Sequence, residues 1–240
     1  MKKENLVPTA IALILGLAGF TMVTGVLGAL AQDEFRRLLS FHLISQVGYM
    51  ILGLGLFSHL ALAGTVFFMT HQIIVKTNLF LISGVAHRLQ GTYELKSMGN
   101  LYRTQPMLSL MFMISALSLA GLPPLSGFVA KFSLFKAGFE LQQYGIVAVA
   151  MGVSILTLTS MTKIWNEAFW KPRLEVQRSD TNDPVLLSAH LWMLIPIAGL
   201  AMMTLLLGLG ADAFFLLANR AAEQLSDPSE YVQAVLQERS

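Results

Sequence analysis

The sequence predicts an all-α polytopic membrane protein with about six transmembrane helices, one of them broken. Three observations carry that reading. Of 240 residues, 55% are hydrophobic and only 12% charged, against about 25% charged in a soluble domain. The hydrophobic residues fall in runs long enough to cross a hydrocarbon core of about 30 Å. One of those runs carries the adjacent Pro123 and Pro124 near its middle. Proline lacks a backbone donor and disfavours helix in the residue before it, so the helix breaks there.

Composition narrows the function classes further. A net charge of +2 is too small to point to nucleic acid. The absence of cysteine excludes disulfides, thiolate metal sites and cysteine-ligated iron–sulfur clusters. No Walker motif, Gly-rich dinucleotide loop, HExxH or nucleophile elbow occurs, so no motif marks a cofactor or metal.

The expected spans are residues 7–31, 38–57, 60–86, 107–136, 144–168 and 187–209, which together make residues 1–211 a helical membrane domain. The first follows a charged start, MKKENLVPTA, but is too long for a signal-peptide core, so it reads as a retained helix. Its Gly16, Gly19, Gly25 and Gly28 suit close helix packing. The second begins after the charged turn QDEFRR and holds His42, Ser45, Gln46 and Tyr49. The third holds His71, Lys76 and Asn78, and a polar loop, residues 88–104, follows it. An unbroken helix over 107–136 would be about 45 Å long, half as long again as the core. Two half-helices resolve the excess. The fifth span carries Thr157, Thr159, Ser160 and Lys163, with Lys163 expected to pair with Glu167 one turn on. A basic loop precedes the sixth span, and residues 212–240 form a mildly amphipathic tail expected at the surface. Lys and Arg are in excess on the odd-numbered loops, which places those loops in the cytoplasm.

Chemistry is expected where charge meets the bilayer. Lys76 and Lys131 lie inside spans, and an ammonium there costs about 2.5–3.5 kcal/mol on insertion scales. Intramembrane ionisable groups mark ion paths by default. Lys131 follows Pro124 by about 10 Å of helix, and Gly121 and Gly127 flank the break. A break at membrane depth frees carbonyls, tolerated only inside protein or beside water. His71 precedes Lys76 by about 140° of helical rotation, so a hydrated cavity or a π-bulge is needed to align them. His42 marks a mouth near the charged turn, whereas His59, His87 and His190 sit at span ends and read as solvated. The spans contain no Asp or Glu apart from Glu167 near an end, so a counter-ion for the lysines has to come from elsewhere.

Three stretches carry a resemblance. Residues 33–56 (DEFRRLLSFHLISQVGYMILGLGL), 70–84 (THQIIVKTNLFLISG) and 119–132 (LAGLPPLSGFVAKF) resemble the proton-conducting antiporter-like subunits shared by complex I and Mrp-type cation/proton antiporters. Within that group the sequence most resembles the D-type subunit of the Mrp antiporters, because complex I relatives place this His and Lys closer together. The resemblance covers residues 16–170. It implies a fold of about fourteen helices with inverted repeats, Lys131 as the lysine of the second broken helix, and His71 and Lys76 on a central hydrophilic axis.

The same resemblance implies a proton-translocating subunit of a multisubunit Na+ or K+/proton antiporter, with no bound cofactor, in the cell membrane. It also implies partner subunits, and a truncated or split chain, since only the later half of the family fold is matched. The first repeat, with its membrane glutamate, would then come from a separate chain or be lost. The rival expectations are a proton-pumping subunit of a complex I-type NADH:quinone oxidoreductase and a non-transporting scaffold.

Overall fold

The computed structural model describes residues 6–172, 184–227 and 229, with side chains over 8–172, 192–227 and 229. The side chain of His190, most of the basic loop before it and the end of the tail lie outside the described residues. Within them the chain is helical: α1 (Leu6–Leu30), α2 (Phe35–Leu56), α3 (His59–Gln90), α4 (Leu101–Thr104), α5 (Pro106–Ala120), α6 (Ser126–Glu140), α7 (Tyr144–Ile164), α8 (Pro184–Leu209) and α9 (Ala211–Ser226). The π-helical turn Trp165–Trp170 extends α7.

Five of these helices are long and apolar enough to cross a membrane, among the described residues. The fourth expected span is missing from that set for a physical reason. It is divided into α5 and α6, each 15 residues, or about 22 Å, and neither half reaches across alone. α9 is amphipathic and buries Ala218 and Ala222 in the cluster that holds Phe67 and Phe68 of α3.

Between apolar helices in lipid, association comes from van der Waals packing and close backbone approach, since lipid tails are as apolar as Leu. α1 and α2 show this most clearly. A Cβ added at Gly25 would overlap the backbone nitrogen of Ser45 and fall 2.6 Å from its Cα, so only glycine allows the two backbones to meet. Gly16, expected to share this role, faces open space.

One end of the bundle is tied by polar contacts. Phe35 N–H donates to Tyr93 C=O, Leu95 N–H donates to Asp33 C=O, and Glu34 bridges Glu94 antiparallel. Asp33 then joins Lys96 (2.6 Å) and Lys163 (2.9 Å). Lys163 therefore pairs across the bundle with Asp33, and Glu167 pairs with Lys171 at 2.8 Å. The expected Lys163–Glu167 pair is absent because the Asp33 loop brings two carbonyls, Leu30 and Gln32, to the same ammonium.

The apolar interior is in two parts. One cluster, toward the clasped end, holds Phe35, Leu39, Val75, Leu119, Met161 and Ile164. The other, toward the opposite end, holds Met22, Tyr49, Phe68, Ala130, Ala150 and Val153. On each of α2, α3 and α7, and across α5–α6, buried polar residues lie between the two clusters. They are His42, Ser45 and Gln46, then His71 and Gln72, then the break, then Thr157 and Ser160, and these side chains are buried. A polar belt thus crosses the middle of the bundle.

Gly25→Ala should lower the thermal midpoint of the detergent-solubilised protein, because overpacking costs about 1–3 kcal/mol. Gly16→Ala, in open space, should leave it unchanged or slightly raised. Equal midpoints for the two variants, followed by intrinsic fluorescence on heating, would contradict the packing described.

Candidate functional site

The site is built on the end of α5. A helix leaves its last four carbonyls without intrahelical donors, here those of Leu117, Ser118, Leu119 and Ala120. Gly121, at φ 90°, takes the left-handed conformation that glycine tolerates and caps the helix. Gly121 N–H donates to Leu117 and Ser118, and Leu122 N–H donates to Leu117. The remaining two carbonyls take the ammonium of Lys131, which donates to Leu119 at 3.0 Å and to Ala120 at 3.2 Å. All four of these carbonyls at the end of α5 are thereby bonded.

Lys131 reaches back from α6 because the intervening turn, residues 121–125, returns the chain onto itself. A Cβ at Gly121 would sit 2.9 Å from Lys131 Cδ, and one at Gly127 would overlap Ser118 C=O and lie 3.0 Å from His71 Nε2. These glycines let the lysine shaft and the start of α6 close onto α5 and α3. Ser118 Oγ accepts from Gly127 N–H at 3.3 Å and lies 3.1 Å from Ser126 Oγ. α8 approaches the end of the turn, where a Cβ on Gly208 would fall 2.6 Å from Pro124 C=O, while Leu122, Pro123 and Pro124 are exposed.

His71 bonds through Nδ1 to Ser126 Oγ at 2.8 Å, which joins it to the break. Lys76 points elsewhere, donating to Leu39 C=O on α2 at 3.3 Å. α3 is α-helical through both, and the π-turn in the described residues lies at Trp165–Trp170 instead. α3 thus sends His71 to the break and Lys76 to α2, with no bulge between them. Leu39, His42, Gln46 and Tyr49 recur at helical spacing on one buried stripe. Lys76 meets that stripe at Leu39, and Gln72 Nε2 donates to Gln46 Oε1 at 3.2 Å. At the other end Lys131 Nζ lies 5.0 Å from the centroid of the Tyr49 ring. From Leu39 to Tyr49 the stripe extends about 15 Å.

His42 is fully buried, not exposed at a surface mouth. Its Nε2 meets Ser160 Oγ at 2.5 Å. Ser160 donates its own proton to Thr157 C=O, so Nε2 carries the hydrogen toward Ser160 and Nδ1 is the acceptor in the neutral ring. His42 Nδ1, Gln46 Nε2, His71 Nε2, Gln72 Oε1 and Asn78 Oδ1 are buried and lack a protein partner. His59 is exposed beside Glu223, and His87 stacks on Tyr93.

Among the described residues, Lys76 and Lys131 are the buried charged side chains, 4% and 2% exposed, and no carboxylate accompanies them. No group of three or more His, Cys, Asp or Glu there has the placement to hold a metal. Ser118, Ser126, Gln72 and the ring of Tyr49 all join the belt. Serine and glutamine inside apolar spans carry little signal alone, because serine is also a common packing residue in membrane helices. The signal available for Tyr49 and Gln46 is their helical spacing from His42.

These features define the class as a multi-pass α-helical membrane protein with a discontinuous helix at its core. The chain belongs to the NADH:quinone oxidoreductase/Mrp antiporter transmembrane family, whose model matches residues 4–157. It is 47% identical over 226 residues to the D-type subunit of an Na(+)/H(+) antiporter from Alkalihalophilus pseudofirmus, a match covering 94% of this chain and 45% of the relative. Against the corresponding antiporter subunit of Bacillus subtilis the identity is 34%, with the same coverage of both chains. A chain in the Mrp complex of a Dietzia species superposes with a TM-score of 0.85 at 34% identity, covering 94% of this chain and 49% of that one. The chain thus spans just under half the length of these relatives.

The clasp near the α2 start sets a testable electrostatic feature. Hydrogen bonds from Lys96 and Lys163 hold the Asp33 carboxyl at about 2, below its ordinary 3.8. A lowered folded value means stabilisation present above the ordinary pKa and lost as pH falls through the folded one. Asp33→Asn should lower the thermal midpoint at neutral pH, and its gap from the wild type should close between 3.8 and about 2. A gap independent of pH would reject the charge pairing.

Proposed function

We propose that the chain is a proton-translocating membrane subunit of a multisubunit Na+ or K+/proton antiporter in the cell membrane. The carrying observation is the ammonium of Lys131, buried without a carboxylate and bonded to two carbonyls of a broken helix. A proton on this lysine strengthens its hold on the carbonyl dipoles, and its loss weakens that hold. Occupancy by a proton and the closure of the break are therefore linked.

The route passes inside the bundle by His42, Lys76, the Gln46–Gln72 pair and His71 to Lys131. Buried nitrogens and oxygens without a protein partner recur along this line, and such groups are where buried water bonds. A histidine ring carries a donor on one nitrogen and an acceptor on the other, so it can take a proton on one side and release one on the other. The free energy would come from an ion gradient, with no cofactor, and exchange would need the other subunits of the assembly. The 47% relative favours this reading over a role in quinone-linked proton pumping.

In the assembled antiporter, Lys131→Ala should abolish cation-dependent proton movement while the subunit remains in the membrane. Everted vesicles with a pH-sensitive dye measure it, with an immunoblot for the subunit. Wild-type exchange from that variant would sink the proposal.

A further inference from the structure

Lys131 has a third neighbour that the carbonyls do not explain. The Tyr49 ring presents its face to the ammonium, 5.0 Å from centroid to Nζ, within the range at which a ring quadrupole attracts a cation. The ring is held in that orientation at both ends. Its hydroxyl donates to Ala150 C=O and lies 2.8 Å from Ser154 Oγ on α7. With its one proton directed to the carbonyl, the hydroxyl accepts from Ser154. Phe68 of α3 stacks on the ring with centroids 5.4 Å apart. Tyr49 is fully buried, so no bulk water screens the contact.

We infer that Tyr49 is a positioning residue for Lys131: its ring face supplies the attraction that a carboxylate would otherwise supply to the protonated lysine. A neutral face has an advantage here. It attracts the ammonium without forming an ion pair that would trap the proton, and to the neutral amine it offers only a weak π acceptor. The carbonyls of Leu119 and Ala120 attract the same charge from the α5 end. Lys131 thus sits between a helix terminus and an aromatic face.

This inference rests on the proton-path reading of Lys131, and the test separates the two. In the assembled antiporter, Tyr49 is replaced by Phe and then by 4-fluoro-, 3,5-difluoro- and 3,4,5-trifluorophenylalanine, with Tyr49→Leu and Lys131→Ala alongside. Fluorine withdraws electron density from the ring face with little change in shape. Tyr49→Phe keeps the face and should retain most of the exchange rate. The rate should then fall with each fluorine, by about tenfold at the trifluoro ring, within the usual strength of a desolvated cation–ring contact. Tyr49→Leu should match or fall below that last value.

A structural role acting through the hydroxyl predicts the reverse: loss at Tyr49→Phe and no further change with fluorine. That pattern, or a flat series at the wild-type rate, overturns the inference while leaving the proton path intact if Lys131→Ala is inactive. Full exchange by Lys131→Ala overturns both. Should Tyr49→Leu fail to accumulate in the membrane, the near-isosteric fluorinated series still decides.

Discussion

The contact between the Lys131 ammonium and the carbonyls of Leu119 and Ala120 is the interaction on which the rest of the interior depends. Each partner alone is unfavourable at membrane depth. An unbonded carbonyl in hydrocarbon costs several kcal/mol, and so does an isolated ammonium. Together they satisfy one another, because the C-terminal end of α5 carries partial negative charge. The lysine therefore stabilises the break, and the break lowers the cost of burying the lysine. Gly121 caps the other two carbonyls, so the arrangement closes within a single stretch of chain.

Around that contact the bundle is layered apolar, polar, apolar along its long axis. Five separate segments contribute to the polar layer at the same depth. Stacking polar residues from successive helices at one level lets each satisfy part of another's hydrogen-bonding capacity. His42 uses Ser160, His71 uses Ser126, and Gln72 uses Gln46. The same layering leaves one atom of each histidine, and of each of those glutamines, without a protein partner. Under the proposed function, these unpartnered atoms are the places where water would join the belt.

The fold class is legible in the sequence because hydropathy is a collective signal, summed over runs of residues. The break is legible for a local reason: two adjacent prolines remove two donors, whatever surrounds them. Lys76 and Lys131 stand out because charge inside an apolar run has few explanations. The partners of those lysines do not. A counter-charge made of backbone carbonyls leaves no trace in side-chain chemistry, and an aromatic face looks like any other apolar residue. The pairing of Lys163 is hidden for a related reason. Glu167 is near in sequence, but the loop carrying Asp33 arrives from far along the chain with two additional carbonyls. His42 follows a charged turn, which suggests a mouth, yet α7 covers it.

Gly208 gives α8 a mechanical role that its bland composition conceals. Its backbone lies against the Pro124 carbonyl and the Ser126 nitrogen, nearer than any side chain would allow. α8 thus backs the end of the turn and the start of α6, while Leu122, Pro123 and Pro124 stay exposed. A sideways slide of α8 would carry its side chains onto the Pro124 carbonyl and the Ser126 nitrogen, so α8 and the start of α6 are coupled in any movement. Any conformational cycle in this half of the fold has to hinge elsewhere.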